Sequence, residues 1–503
     1  MPPHSLSTVT AIRPFASSNP SRATLAACMA TALGLGSAAM PTLANTVYPL
    51  ACGDPATPIF PTLRSAIASA MEGDTVDLSR LNCATPSLIT LAQGEINILK
   101  NNLTIYAPPN SPFTIDAAGQ SRIFEHKGTG VLALNNLRLT NGLAQNTSYS
   151  GYGGCAGSSG SLELTNTNVT GCNANVGGGL YAKGHIKLIN SSVSGNTARA
   201  DGGGIGGGGI YTPGDLTVKY GSAISNNHSN AGVGGAYAGG NITTKLAVIS
   251  GNSDNYASAT LAIGCTALDA GGSLTMTSSS VEQNLGQQVS GTVCARGTTN
   301  LSATTISNNH GNPYGSFAVF GSSMTLTNST ISGNDGMGVL AAVSNNVYVF
   351  NSTITLNGGI GIYGQGALCK FEVQSSIIAN NLTYFPLADQ TGADVYLKRC
   401  ANYDTSGIVV DHDVIIHSNI AFPNATAIIT RDPHLSPLAF RGGPVKTHAL
   451  STNSPAVDAG NNLLGQANDG RGSGFVRDVG AAADIGAYER QPNDDEIFYG
   501  GLQ

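Results

Sequence analysis

The chain has 503 residues, of which 10% are charged and 65 are glycine; tryptophan is absent and the mean hydropathy is close to zero. Such a composition excludes a disordered polar chain and a Glu/Lys/Leu-rich helical bundle, and it favours short strands joined by tight turns. The formal net charge of −6 comes without any run of Lys or Arg, which speaks against nucleic acid, anionic membranes and long-range attraction of acidic polysaccharides.

Residues 1–44 read as a secretory signal peptide with a long leader. Arg13 and Arg22 form its basic part, Ala23 to Met40 its small apolar part, and Thr42-Leu43-Ala44 its cleavage signal. Leu25-Ala26-Ala27-Cys28 imitates a lipobox, but the preceding Ser17 to Thr24 is too polar for one. No later stretch approaches the ~18 apolar residues of a membrane span. Residues 45–140 are expected to hold an N-terminal cap and the first coils. Thr62 to Met71 has helical apolar spacing at Leu63, Ile67, Ala70 and Met71, and Thr75-Val76-Asp77-Leu78 resumes as strand.

Residues 141–400 carry a repeat, and the repeat predicts the fold. A short alternating run is followed by a Ser/Thr-Val/Ile-x-x-Asn step nine times. The closing residues are Asn173, Asn196, Asn227, Asn252, Asn284, Asn309, Asn334, Asn357 and Asn381, spaced 23 to 32 residues apart. A strand with one apolar face cannot bury that face alone; the next coil, ~4.8 Å above, supplies both pairing and packing. The predicted fold is an all-β, right-handed parallel β-helix with an N-terminal helical cap and a C-terminal capping region. Asn at one turn of every coil predicts a ladder of side-chain amides, in a backbone conformation Asn tolerates.

A second element, Gly-Gly-apolar-Tyr, recurs at Tyr181, Tyr211 and Tyr237. If the apolar residue points inward, these tyrosines point outward, as an aromatic strip for a sugar chain or partner or as a turn-packing stack. Once the leader with Cys28 is removed, the cysteines fall into neighbouring couples: Cys52 and Cys83, Cys155 and Cys172, Cys265 and Cys294, Cys369 and Cys400. An even number and an export signal suggest disulfides, in one of many possible connectivities. No CxxC spacing points to a metal, and no cofactor is expected.

Thr62 to Leu78, Thr114-Ile115-Asp116 and Leu137 to Gly142 resemble the N-terminal region of bacterial CSLREA-type β-helix proteins, without that family's Cys and acidic residue near Pro61. The repeats resemble those of polymorphic outer-membrane proteins. In residues 401–490, Asp432-Pro433, Gly442-Gly443-Pro444, Ser454 to Gly460, Gly470-Arg471-Gly472 and Asp484 to Glu489 are similar to the choice-of-anchor Q domain of exported surface proteins. The tail, 491–503, ends in Ile497-Phe498-Tyr499-Gly500-Gly501-Leu502, similar to short sorting endings that carry Phe where this chain has Leu502. The resemblance implies a fold and an extracellular or outer-surface address rather than an activity.

Parallel β-helices include polysaccharide lyases and glycosidases, whose sites need clustered carboxylates with a nearby base. Between Cys155 and Cys369 the acids are Glu163, Asp201, Asp215, Asp254, Asp269, Glu282 and Asp335, one per coil and out of phase with the Asn step. Arg199 with Asp201 reads as a loop ion pair, and His228 and His310 as turn residues three coils apart. Gly202-Gly203-Gly204 matches neither a phosphate loop nor a Ca²⁺-binding repeat. The expectation is therefore a non-enzymatic adhesin or display scaffold for polysaccharide or a surface protein. The alternative is a pectin-degrading lyase or glycosidase.

Overall fold

The period of the sequence appears directly in how the strands pair. A computed structural model describes residues 44–83, 87–144, 151–201, 205–255, 264–286, 291–311, 316–341, 346–364, 370–382, 394–397, 407–418, 422, 425–492 and 494, without the side chains of 340 and 341. Strands pair in parallel with the equivalent strand of the next coil, giving three long sheets of 14, 12 and 13 strands. Sheet 1 runs from Thr46–Val47 to Ile408–Asp411, sheet 2 from Ile96–Ile98 to Val395–Leu397, and sheet 3 from Leu88–Thr90 to Val414–Ile415. A fourth set of five two-residue strands, Asn173–Ala174 to Leu285–Gly286, fills the corner after sheet 3. Each coil thus visits sheets 2, 1 and 3 in turn, as in Ala156–Ser158, Ser161–Thr165 and Asn168–Thr170. The protein is a parallel β-helix, and its only antiparallel strand pair is Ala439–Phe440 with Lys446–Thr447 among the described residues.

Alternation does the burying. In Ile186–Ile189 and Leu216–Lys219 the residues Ile186, Leu188, Leu216 and Val218 are fully buried, while Lys187 and Thr217 face out. The inward columns from all three sheets form one continuous core from Leu63 to Ile415.

Two polar columns run alongside it. Asn196 donates its backbone N–H and its side-chain Nδ2 to Oδ1 of Asn227, and the pattern repeats through Asn252, Asn284, Asn309, Asn334 and Asn357 to Asn381, with Nδ2–Oδ1 distances of 2.8–3.0 Å. The second Nδ2 hydrogen goes to a main-chain oxygen, such as Val193 O from Asn227, so each buried amide uses both donors and its acceptor. Asn173 stands outside this column. Counting three residues on from the buried Val/Ile of each coil gives Asn196 after Val193 but Cys172 after Val169, and Cys172 N–H indeed donates to Asn196 Oδ1 at 3.0 Å. Asn173 lies one residue further along, paired in register with Thr197.

At the corner between sheets 1 and 3, a hydroxyl column passes the N–H of one coil to the Oγ of the next, including Thr167 to Ser191 and Ser329 to Ser352 to Ser376. Both columns finish on a carboxylate. Asp394 Oδ1 accepts N–H and Nδ2 from Asn381, and Asp413 Oδ1 accepts N–H from Ser376 at 2.7 Å. An Asn in the place of Asp394 would bring donors needing acceptors from a further coil; a carboxylate only accepts and so ends the chain of bonds.

Both ends are covered. Thr62 caps the helix Leu63–Ser69 in a reciprocal box with Ser65. Arg64 pairs with Asp54, whose carboxylate also accepts N–H from Ala92 and Gln93, and Cys52–Cys83 closes the same region. Disulfides also join Cys155–Cys172 and Cys265–Cys294; Cys369 and Cys400 lie outside the described residues, as do 1–43. At the other end the chain lies over the last coil through parallel bridges Asp411–Thr426 and Val414–Ile429. It then runs back along the outside of sheet 3, where Thr305 Oγ1 donates to Lys446 O and Ser332 Oγ meets His448 Nε2 at 2.8 Å.

Candidate binding faces

Outward positions of sheet 2 line up along the coils in the register Glu125, Gly157, Tyr181, Tyr211, Tyr237, Asp269, Cys294 and Phe320. Tyr181, Tyr211 and Tyr237 are brought together as one half-buried column with ring centroids 6.0 and 4.9 Å apart. The spacing is that of offset stacks. Each ring packs on its neighbour and remains half-buried, so part of it reaches solvent. Burial pushes the Tyr181 and Tyr211 phenols above their ordinary pKa. Sequence reasoning missed Tyr152, whose ring lies 4.8 Å from that of Tyr181. Its Tyr precedes the glycine pair instead of following it, and it reaches the column because Gly157 leaves that position without a side chain.

Ion pairs bound the four tyrosines at both ends. Below, Arg122, only 4% exposed, pairs with Glu125 and lies 3.8 Å from Glu95. Above, the buried Asp269 takes Arg296 at 2.6 Å, and burial raises its carboxyl despite that guanidinium. The Glu95–Arg122–Glu125 group unites residues from consecutive coils. Burial raises the Glu95 carboxyl, although the Arg122 guanidinium beside it acts the other way. Arg122 lies between these carboxylates and pairs with them, so neither stands free as the acid or base of a glycosidase pair.

The acids between Cys155 and Cys369 each find a local partner. Asp201 meets Arg199 at 3.4 Å, and Asp335 meets His310 at 3.1 Å. Glu282 pairs with Lys446. Asp254 accepts from Thr266, and Asp215 accepts the Asn241 N–H. Arg199 also donates to Asn173 Oδ1 and Ala144 O, and so straps three coils together. His228 and His310 stand three coils apart through Ser253 and Leu285 and share no partner among the described residues. Gly202, Gly203 and Gly204 lie outside the described residues. Among the described residues, no three His, Cys, Asp or Glu side chains gather as a metal-binding group.

One arrangement imitates a hydrolase triad. Ser161 Oγ is 3.1 Å from His185 Nδ1, and His185 Nε2 is 3.2 Å from Glu163 Oε1. Ser161 Oγ, however, also accepts the backbone N–H of His185. The same rung recurs at that turn from Asn241 to Asp215, Ser273 to Asn241 and Thr298 to Ser273. The hydroxyl is thus a rung of a turn ladder, and Glu163 is shared with Lys187 at 3.0 Å.

A family model described as right-handed beta helix region matches residues 264–431. No curated protein matches the chain in sequence. Among solved structures, the "Crystal structure of pectate lyase Pel9A" is similar at 15% identity and a TM-score of 0.36, over 90% of this chain and 97% of that one. So distant a likeness says nothing about chemistry. The stacked coils and the matching region together make this chain a right-handed parallel β-helix protein.

Proposed function

We propose that the protein is an exported or cell-surface, non-enzymatic rod that presents its tyrosine column to a glycan. The single observation carrying this reading is the continuous column Tyr152, Tyr181, Tyr211 and Tyr237 on the outer face of sheet 2. Its ring edges and hydroxyls, one set per coil, suit a repeating partner with apolar CH faces and hydroxyl groups. Arg296 at its upper end adds a half-exposed charged donor. Three disulfides fit an oxidising compartment, and no described helix is long and apolar enough to cross a membrane. The likeness of its termini to CSLREA-type and choice-of-anchor Q proteins supports the same address.

The test is retention of the purified protein on insoluble neutral polysaccharides, cellulose and chitin among them, with released reducing and unsaturated ends assayed in parallel. Retention that falls about tenfold in Tyr181→Ala/Tyr211→Ala, without released ends, is expected. Released ends would overturn the non-enzymatic reading; unchanged retention in the variant would overturn the role of the column.

A further inference from the structure

We infer that the outer face of sheet 1 carries a second, separate surface for an anionic polysaccharide, centred on Lys219 and Lys245. Strands Ile186–Ile189, Leu216–Lys219 and Ile242–Lys245 stack in that order, with Lys219 directly in register with Lys245. Lys187, on the lowest of the three, is held by Glu163. Lys219 and Lys245 have no carboxylate within ion-pair reach among the described residues. Their strand positions lie one coil spacing, ~4.8 Å, apart, so the two like charges repel one another, and among the described residues no carboxylate pairs with either.

An independent observation falls on the same two coils. The residues that follow these lysines, Tyr220 and Leu246, turn the corner with φ of 56° and 52° and are 50% and 38% exposed. At this corner the coils below place Asn136, Asn166 and Asn190, and those above place Ser278, Ala303, Asn328 and Asn351. Asn relieves a left-handed backbone through its short polar side chain, whereas Tyr and Leu are strained there. Their exposure returns nothing to the core, and strain of this kind concentrates at ligand clamps.

Together the two coils offer a pair of unneutralised cations, an apolar shelf beside them, and the outward hydroxyls of Thr217 and Thr243 on the same strands. A uronate or sulfated sugar has the complementary parts: a carboxylate or sulfate, an apolar ring face and hydroxyl groups. Nucleic acid or an anionic membrane would call for a longer basic track than two lysines. Because the whole chain is acidic, attraction is local to this face rather than a property of its net charge. The surface does not depend on the tyrosine column, which lies on sheet 2.

The experiment is affinity electrophoresis of the purified protein in gels containing polygalacturonate or chondroitin sulfate, with dextran as the neutral control. Wild-type protein is expected to be retarded by at least one anionic polymer and not by dextran, the retardation fading as salt rises. Lys219→Glu/Lys245→Glu should weaken that retention about tenfold or more, and Tyr220→Asn about threefold. Tyr220→Asn should also melt no lower than wild type, since Asn suits the corner. Tyr181→Ala/Tyr211→Ala should be retarded like wild type. The proposal is overturned by absent retardation on both anionic polymers, or by lysine variants that bind unchanged. Loss of binding in the tyrosine double variant would equally overturn the separateness of the two faces. Tighter retention on duplex DNA or phosphatidylserine vesicles than on either polymer would reject the polysaccharide assignment.

Discussion

The lower and upper coils repeat the same motif on sheet 3 but put its outer residues in different surroundings. In Asn168–Thr170, Ser192–Ser194 and Ala223–Ser225 the flanking residues are exposed or half-buried around a buried Val or Ile. In Thr305–Ser307, Thr330–Ser332 and Thr353–Thr355 the same positions are all buried. The difference is the C-terminal segment, which lays Lys446, His448, Asn461, Asn468 and Ala487 across the upper coils. An x-Val/Ile-Ser/Thr triplet is therefore surface in one half and interior in the other. Position along the rod decides it, not the local pattern.

The segment packs Leu450, Ala456 and Ile485 against Ile377 and Val414 in a small apolar cluster, and buried charges knit the rest of it. Arg471 lies between the rings of Phe475 and Tyr488, 4.0 and 3.9 Å from their centroids, and pairs with the buried Asp469 at 2.8 Å. Arg477 is fully buried near Glu489, whose carboxyl burial pushes up to about 8. Glu489 accepts N–H groups from Val479 and Asp484.

The largest expected effect breaks the comparison at its source. Arg471→Ala leaves Asp469 buried without its cation and should cost about 3–5 kcal/mol of the segment's stability. Hydrogen exchange should then rise over Thr305–Thr355 while Asn168–Ser225 stays protected as before; equal loosening of both halves would contradict the two-region picture.

A charged side chain probes the two settings directly. Thr330→Lys forces an ammonium under the segment and should cost about 3 kcal/mol, whereas Ala223→Lys in the same column should stay within roughly 0.5 kcal/mol, both read from denaturant unfolding.

The amide column is internal to both halves and should not distinguish them. Asn227→Ala and Asn357→Ala each strip the preceding Asn of an acceptor for two buried donors, a loss of about 2–3 kcal/mol in either place. A clearly smaller loss for Asn357→Ala would mean that the covering segment shares the column's load.

The smallest effect is a pH dependence confined to the upper half. Glu489 binds its proton more tightly folded than unfolded, so its contribution is full below about pH 4.5 and falls away as pH rises toward 8. The stability of the segment, read from its melting temperature, should therefore decline across that window, and Glu489→Gln should flatten the decline.

The local alphabet was enough to read coils, their period and their inward faces. Alternation and a recurring Val/Ile-x-x-Asn step are properties of adjacent residues, and parallel stacking follows from them because a half-apolar strand needs a copy of itself above and below. Asn173 marks where such reading slips: Cys172 fills the place three residues after Val169, and counting from the buried Val rather than searching for Asn would have located it. Other features needed the stack itself. Glu95 with Arg122 and Glu125, or Lys219 with Lys245, are single residues 26 to 30 apart that meet because one turn of the solenoid separates them. In sequence they are isolated charges, and the uneven insertions between coils hide their common phase. The cover over the upper coils was further from view, since its bonds join residues as much as 164 apart, such as Glu282 and Lys446. Sequence by itself determined a stack of coils with a buried face; only the tertiary structure decided which outward residues became neighbours and which face was closed, because both depend on register and long-range docking that no local pattern encodes.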